Sequence, residues 1–320
     1  MNCRTIETNG IRLRAVVEGT GPLVVFVHGF PESWYSWRHQ IAPVVAAGFT
    51  ACAIDVRGYG GSDKPHPVEA YDMETLVADV AGVIEALSPD GKAILVGHDW
   101  GAPVVWSTAL TRPDRVRAVA GLSVPYLGIP TVPMVNIFDA VFTQRGLFFY
   151  QVYFQKPGVA EAELEADPRL GLRKFYYAIS GDAPDGTWPK DKKHGDTLLH
   201  RLPDPQPFPA WLTKADEDFY TAEFTQSGFR GPLNRYRNAH RDFAFLNRFQ
   251  GKTIQQPSFF IGGSRDLVLK MAPGVDMVEI MKAQLPNLQG AHVLEGCGHW
   301  TQQERPAEVN ALLVPWLKSL

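Results

Sequence analysis

Short apolar runs punctuate the first part of the chain: Leu23–Val27, Thr50–Ile54, 93–96 and Val116–Leu122. Each is rich in Val, Ile, Leu and Ala and is bounded by Gly, Pro or polar residues. Unbroken apolarity over so few residues suits strands buried on both faces of a parallel sheet. Between them the period changes. Over Met73–Leu87, the residues Leu76, Val80, Val83, Ile84 and Leu87 fall on one helical stripe. Strand then helix, repeated, predicts an α/β fold with a mostly parallel sheet. The opening stretch, 6–17, carries Asn9-Gly10 at its centre and predicts a β-hairpin on the sheet edge.

After Ser123-Val124-Pro125 the texture changes to Pro and aromatics, without alternating strands; 160–166 and 170–179 predict short helices. Strand signals resume at 258–261 and 291–294, and 307–317 predicts a closing helix. The expected organisation is therefore a core split into 1–125 and 246–320, with a helical lid, 126–245, inserted between its halves. An insertion at the carboxyl ends of parallel strands would cover the crevice where open α/β sheets bind ligands.

Composition narrows the function classes. The 320 residues are 45% hydrophobic and 20% charged, with a net charge of -3 and no basic cluster, so nucleic acid is not an expected partner. The one dense charge run, Lys190-Asp191-Lys192-Lys193-His194, predicts a solvated loop. Cys3, Cys52 and Cys297 are scattered and lack CxxC spacing, which argues against a disulfide framework or zinc site; Cys52, in an apolar run, is expected in the core. With no apolar leader at the N-terminus and no long apolar stretch, a cytoplasmic protein without a membrane partner is expected. Oligomeric state is not legible.

The strongest chemical signal is Gly97-His98-Asp99-Trp100-Gly101, after the strand at 93–96 and before a helical run at 102–110. A sharp strand-to-helix turn crowds its central residue, hence the glycines; this is the setting of the nucleophile elbow, with aspartate where serine would stand. The competing reading of Asp99 is an ordinary helix cap. His28-Gly29-Phe30-Pro31 follows the strand Leu23–Val27, and there a backbone N–H can point into a site. Phe30 and Trp100 are the expected oxyanion donors; His28 is expected only to brace the loop. Asp266 follows the strand at 258–261 through Gly262-Gly263-Ser264-Arg265, and His299 follows 291–294 through Glu295-Gly296-Cys297-Gly298. Nucleophile, acid and histidine thus share one sheet edge, in the chain order of α/β-hydrolases.

These residues carry a family resemblance. His28-Gly29-Phe30-Pro31-Glu32-Ser33-Trp34, Asp55-Val56-Arg57-Gly58-Tyr59-Gly60, Gly97-His98-Asp99-Trp100-Gly101 and Gly298-His299-Trp300 closely resemble the α/β-hydrolase-fold epoxide hydrolases. The resemblance implies a mostly parallel eight-stranded sheet flanked by helices, Asp99 as nucleophile, and His299 with Asp266 as the charge-relay pair. It also implies two lid tyrosines over the nucleophile. Tyr153-Phe154-Gln155 and Gly231-Pro232-Leu233-Asn234-Arg235-Tyr236-Arg237 match the family's segments and select Tyr153 and Tyr236. Arg235 departs from the tryptophan common there. Phe30, Pro31, Trp100 and both tyrosines are the expected substrate contacts, with epoxide and water as partners and no cofactor or metal. An aspartyl ester would also serve a haloalkane dehalogenase, but halide calls for two side-chain N–H donors, and Phe30 offers none beside Trp100. A ligand receptor on the same scaffold would need the pocket but not the full set of catalytic groups.

Overall fold

The structure, a computed structural model, describes residues 2–272 and 274–320. Eight strands form one sheet: β1 Cys3–Thr8, β2 Ile11–Glu18, β3 Leu23–Val27, β4 Thr50–Ile54, β5 Ala93–His98, β6 Val116–Leu122, β7 Ser258–Gly263 and β8 Leu288–Leu294, in the order β1-β2-β4-β3-β5-β6-β7-β8. β1 and β2 are the expected hairpin. Asn9 and Gly10 both take positive φ, the twist that a tight hairpin turn requires. β2 also pairs antiparallel with β4, and from β4 to β8 every pairing is parallel.

Each apolar run became a strand for the reason its pattern gave. All residues of β3 and β5 are buried, because helices cover both faces. α1 (Arg38–Ala46) and the final helix (Pro306–Lys318) seal one face through Ile41, Val44, Leu313 and Trp316. α2 (Met73–Leu87) and α3 (Gly101–Thr111) seal the other through Leu76, Val80, Ile84 and Val105. Asp72 caps α2, its carboxylate accepting from the Thr75 N–H at 2.9 Å.

Strand order sets the site's position. From β3 the chain moves outward to β4, then returns to β5 on β3's other side, so the loops after β3 and β5 diverge at a switch point. His28-Gly29-Phe30 and Asp99-Trp100 occupy those two loops.

Seven helices lie between β6 and β7: α4 Met134–Val141, α5 Tyr150–Tyr153, α6 Val159–Ala166, α7 Pro168–Ala178, α8 Lys214–Ser227, α9 Arg230–Tyr236 and α10 Ala239–Asn247. α10 crosses the expected boundary at 245. α6 and α7 were legible as helices; α8 was obscured because its buried anchors, Tyr220 and Phe224, are aromatic and its other positions mostly polar. Its start is nonetheless well marked, by the reciprocal bonds between Thr213 and Asp216.

One expectation fails within this insertion. The charge run at 190–194 is not uniformly solvated: Lys192 is buried, its ammonium donating to the Thr197 and Leu198 carbonyls and lying over the rings of Phe148 and Trp188. Two carbonyls and two ring faces replace its water, which charge counting along the sequence does not register. No helix among the described residues is long and apolar enough to cross a membrane.

Candidate active site

Asp99 is the first residue past β5 and holds φ at 47°, in the left-handed region that side chains avoid. Its surroundings leave room only for glycines. A Cβ on Gly101 would strike the Val27 carbonyl, and one on Gly29 would strike the Asp99 carboxylate itself. The turn lifts that carboxylate away from α3, whose N-cap, Trp100, makes no side-chain capping bond. Asp99 is therefore not a helix cap. Its Oδ1 accepts from the Phe30 N–H at 2.7 Å, and its Oδ2 lies 3.3 Å from Nε2 of His299.

Behind His299 stands Asp266, fully buried. Its two oxygens lie 3.0 and 3.1 Å from Nδ1 of His299, and its Oδ1 also takes the Val268 N–H at 2.9 Å. The three residues that the sequence placed on one edge are thus in contact. Burial works against a charged imidazole, but the carboxylates of Asp266 and Asp99 on either side outweigh it, holding His299 well above its ordinary value. The two flanking carboxylates thus both favour the charged form of the imidazole.

A cavity of about 550 Å³ opens on Asp99 and is mostly apolar in its lining. Trp100, Tyr150 and Tyr236 surround its inner end. Burial, then the charge of Asp99, pushes the Tyr236 hydroxyl well above the usual phenol range. Burial and Asp99, in that order, also raise Tyr150. Both shifts favour the protonated phenol, which is able to donate, and the two rings meet edge-on at 6.0 Å.

Tyr153 does not belong with them. Its hydroxyl donates to Glu163 at 2.9 Å, and it does not line the cavity. Glu163 also receives the Leu198 and Leu199 N–H groups, so Tyr153 is one spoke of a carboxylate hub inside the insertion. Of the two tyrosines expected over the nucleophile, Tyr236 lines the cavity and Tyr153 does not; Tyr150, one turn earlier in Phe149-Tyr150-Gln151-Val152-Tyr153-Phe154-Gln155, lines it instead. Both tyrosines precede a nearby glutamine, and only the distant Glu163 tells them apart.

The remaining expected contacts divide. Phe30 supplies its N–H, but its ring is buried edge-on against Phe154, Phe175 and Tyr236 and does not line the cavity. Pro31 is also off the cavity, its carbonyl accepting from the Tyr176 hydroxyl at 2.6 Å. Trp100 lines it, with Tyr236 edge-on at 5.3 Å. Arg235, where tryptophan is common, lays its guanidinium 4.5 Å over the Trp100 ring and is ion-paired to Asp242.

A buried ion pair beneath the site escaped the sequence. His98 donates from Nδ1 to Glu32 and from Nε2 to the carbonyl of His299, both at 2.7 Å. Glu32 also accepts from the Gly29 N–H and from the amides of Gln302 and Gln303. Its burial opposes ionisation, yet His98 overrides it and holds the carboxyl at about 2. One pair thereby ties together the loops bearing Phe30, Asp99 and His299. Both residues lie inside the quoted motifs, but nothing in their spacing joins them. His28 is a brace, as expected: Nδ1 bonds the Gly29 carbonyl, Nε2 accepts from the Val56 N–H, and burial lowers its pKa. Among the described residues, no cluster of His, Cys, Asp and Glu has the makings of a metal site.

Known proteins similar to this chain are consistent in kind. The alpha/beta hydrolase fold family model matches residues 22–306. Epoxide hydrolase A of Mycobacterium tuberculosis is 43% identical over 323 aligned residues, covering 99% of this chain and 97% of the relative. Among solved structures, an epoxide hydrolase from an endophytic Streptomyces superposes with a TM-score of 0.94 at 47% identity, over 99% of this chain and 95% of that one. Epoxide hydrolase A from Mycobacterium thermoresistibile superposes with a TM-score of 0.92 at 44% identity, over 100% and 98%.

Proposed function

Because the chain belongs to the α/β-hydrolase-fold epoxide hydrolases, we propose that it converts an apolar epoxide and water to a vicinal diol through an ester on Asp99. The observation that carries this mechanism is the position of the Asp99 carboxylate, between the Phe30 N–H and His299, at the inner end of a cavity that two protonated tyrosines share.

In the first step Oδ2 of Asp99 attacks a ring carbon, and the carbon–oxygen bond breaks with its electron pair moving onto the ring oxygen. An alkoxide is a poor leaving group, so Tyr150 and Tyr236 grip the ring oxygen and one of them passes it a proton. Oδ1 becomes the ester carbonyl, already facing the Phe30 N–H. Alkylation also removes one of the two charges that hold His299 protonated. The imidazolium then releases its proton, restoring the one the tyrosine gave, and becomes a base when a base is first needed.

In the second step His299, oriented by Asp266, takes a proton from water as the water oxygen attacks the Asp99 carbonyl carbon. Negative charge gathers on Oδ1, where the Phe30 N–H and, in this scheme, the Trp100 N–H stabilise it. Collapse expels the diol oxygen, which recovers the proton from His299, and the Asp99 carboxylic acid so formed passes its remaining proton to His299, restoring the carboxylate. All of these groups come from the chain itself.

The test is His299→Gln, which should form the ester and fail to hydrolyse it. After exposure to styrene oxide, mass spectrometry should find one substrate mass added to the peptide bearing Asp99. An unmodified peptide together with diol formation at the wild-type rate would overturn the mechanism.

A further inference from the structure

The cavity is one-sided about the reacting atoms, and that asymmetry bears on the substrate. Beyond Asp99 and Trp100 it is lined by Val124, Ile129, Phe138, Val268 and Met271. Its outer end is rimmed by Leu127, Val132, Met134 and Ile137, each between 39% and 44% exposed. A single apolar side chain at such exposure is ordinary, but four around one opening make a continuous apolar path from solvent to the nucleophile. The other side of the nucleophile is filled. Phe30, Phe154, Phe175 and Trp300 are all buried there, with Phe30 meeting Phe154 at 5.5 Å and Phe175 at 5.9 Å, and Phe175 meeting Trp300 at 6.2 Å.

An epoxide has two ring carbons, and with its oxygen held by Tyr150 and Tyr236 their substituents must diverge. One direction offers an apolar channel and the other a packed aromatic wall. We propose that the substrate is a terminal epoxide: one ring carbon bears a single long apolar arm that runs along the channel to the rim, and the other is an unsubstituted methylene against the wall. The arm is uncharged along its buried length. Among the described lining residues the one cation is Arg235, already engaged by Asp242 and by the Tyr71 carbonyl, and a buried unpaired charge is costly. This specificity rests on epoxide hydrolysis at Asp99.

Diol formation from a homologous series of terminal alkane epoxides, butane to tetradecane, tests it, with the mid-chain epoxide of dodecane as the isomer control. Each methylene buried in the channel should raise kcat/KM up to about fourfold, until the arm passes the rim. The mid-chain isomer should fall at least about tenfold below the terminal one, since it must force an alkyl group into the wall. Phe175→Ala should narrow that gap by opening the wall. Should that variant not fold, Ile137→Gln should lower kcat/KM for the dodecane epoxide more than for the butane epoxide. Equal rates for the two dodecane isomers would overturn the one-armed substrate while leaving the chemistry at Asp99 intact. No diol from any member, nor from styrene oxide, would bring down the hydrolase mechanism and this inference with it.

Discussion

At the scale of single residues, three tyrosines fall into two kinds that sequence spacing runs together. Tyr150 and Tyr236 share the cavity with Asp99, whereas Tyr153 is spent on Glu163. Removing one hydroxyl at 150 or 236 should slow alkylation by about 10²–10⁴-fold, the range for loss of a positioned acid; pre-steady-state diol kinetics of Tyr150→Phe and Tyr236→Phe would measure it. Tyr153→Phe should leave that rate within a few-fold and cost about 1 kcal/mol of stability, for one partly exposed hydrogen bond. A large kinetic loss in Tyr153→Phe alone would return the donor role to 153. The same locality governs His299. Its pKa is raised because two carboxylates face it, and burial alone would lower it. Asp99→Asn, a neutral mimic of the ester, should therefore move the His299 titration to lower pH, followed by the imidazole resonances in NMR. An unchanged or raised titration would mean that alkylation does not switch the base on.

Among elements, the site is a meeting of three loops, and the Glu32–His98 pair is what joins them. His98 reaches the carbonyl of His299 while Glu32 holds the Gly29 N–H, so each loop is fixed relative to the others through fully buried partners. Breaking such a pair leaves a charge without its counter-ion, and Glu32→Gln should cost about 3–5 kcal/mol. The pH dependence has a definite sign. The Glu32 carboxyl sits at about 2 in the fold against an ordinary 4.5, so its stabilisation is complete above 4.5 and is lost as pH falls toward 2. The stability difference between wild type and Glu32→Gln, from urea unfolding, should shrink across that window; a constant difference would show that Glu32 is not ionised by the pair. This pair also shows where sequence reading ends. Strand runs, the α2 stripe and the Asp99, Asp266 and His299 loops were legible because each obeys a local period or follows a strand end. Glu32 and His98 are 66 positions apart and Tyr153 and Glu163 are ten apart across a helix break; such partners are chosen by packing. The aromatic-anchored helix α8 and the buried Lys192 were hidden for the same reason, since their stability comes from surfaces that only the folded insertion supplies.

For the molecule as a whole, the helical insertion is fastened to the core at His299 and Trp300, beside the Asp99 carboxylate. The backbone N–H of His299 donates to the Ile179 carbonyl at 3.0 Å, and Nε1 of Trp300 donates to the Tyr176 carbonyl at 2.8 Å. Farther out, Arg14 on β2 bridges Asp55 of the core and Glu223 of α8, and Arg38 on α1 pairs with Asp216 of α8 at 3.0 Å. A segment clamped at both its catalytic and its peripheral edge is poorly suited to swing open as a unit. For the proposed one-armed epoxide that leaves the apolar rim around Leu127 and Ile137 as the way in, and the fold is expected to melt as one cooperative body. Urea unfolding followed by tryptophan fluorescence and by far-ultraviolet circular dichroism should give coincident transitions, since Trp37 and Trp106 report the sheet layers while Trp188 and Trp211 report the insertion. Arg14→Ala strands two carboxylates at once, but the arginine is partly exposed, so about 2 kcal/mol is the expected loss. Both probes should shift together by that amount, and diol formation should disappear along the same curve. If fluorescence and activity instead fall before the circular dichroism does, the insertion melts on its own and the clamp is not what holds His299 in place.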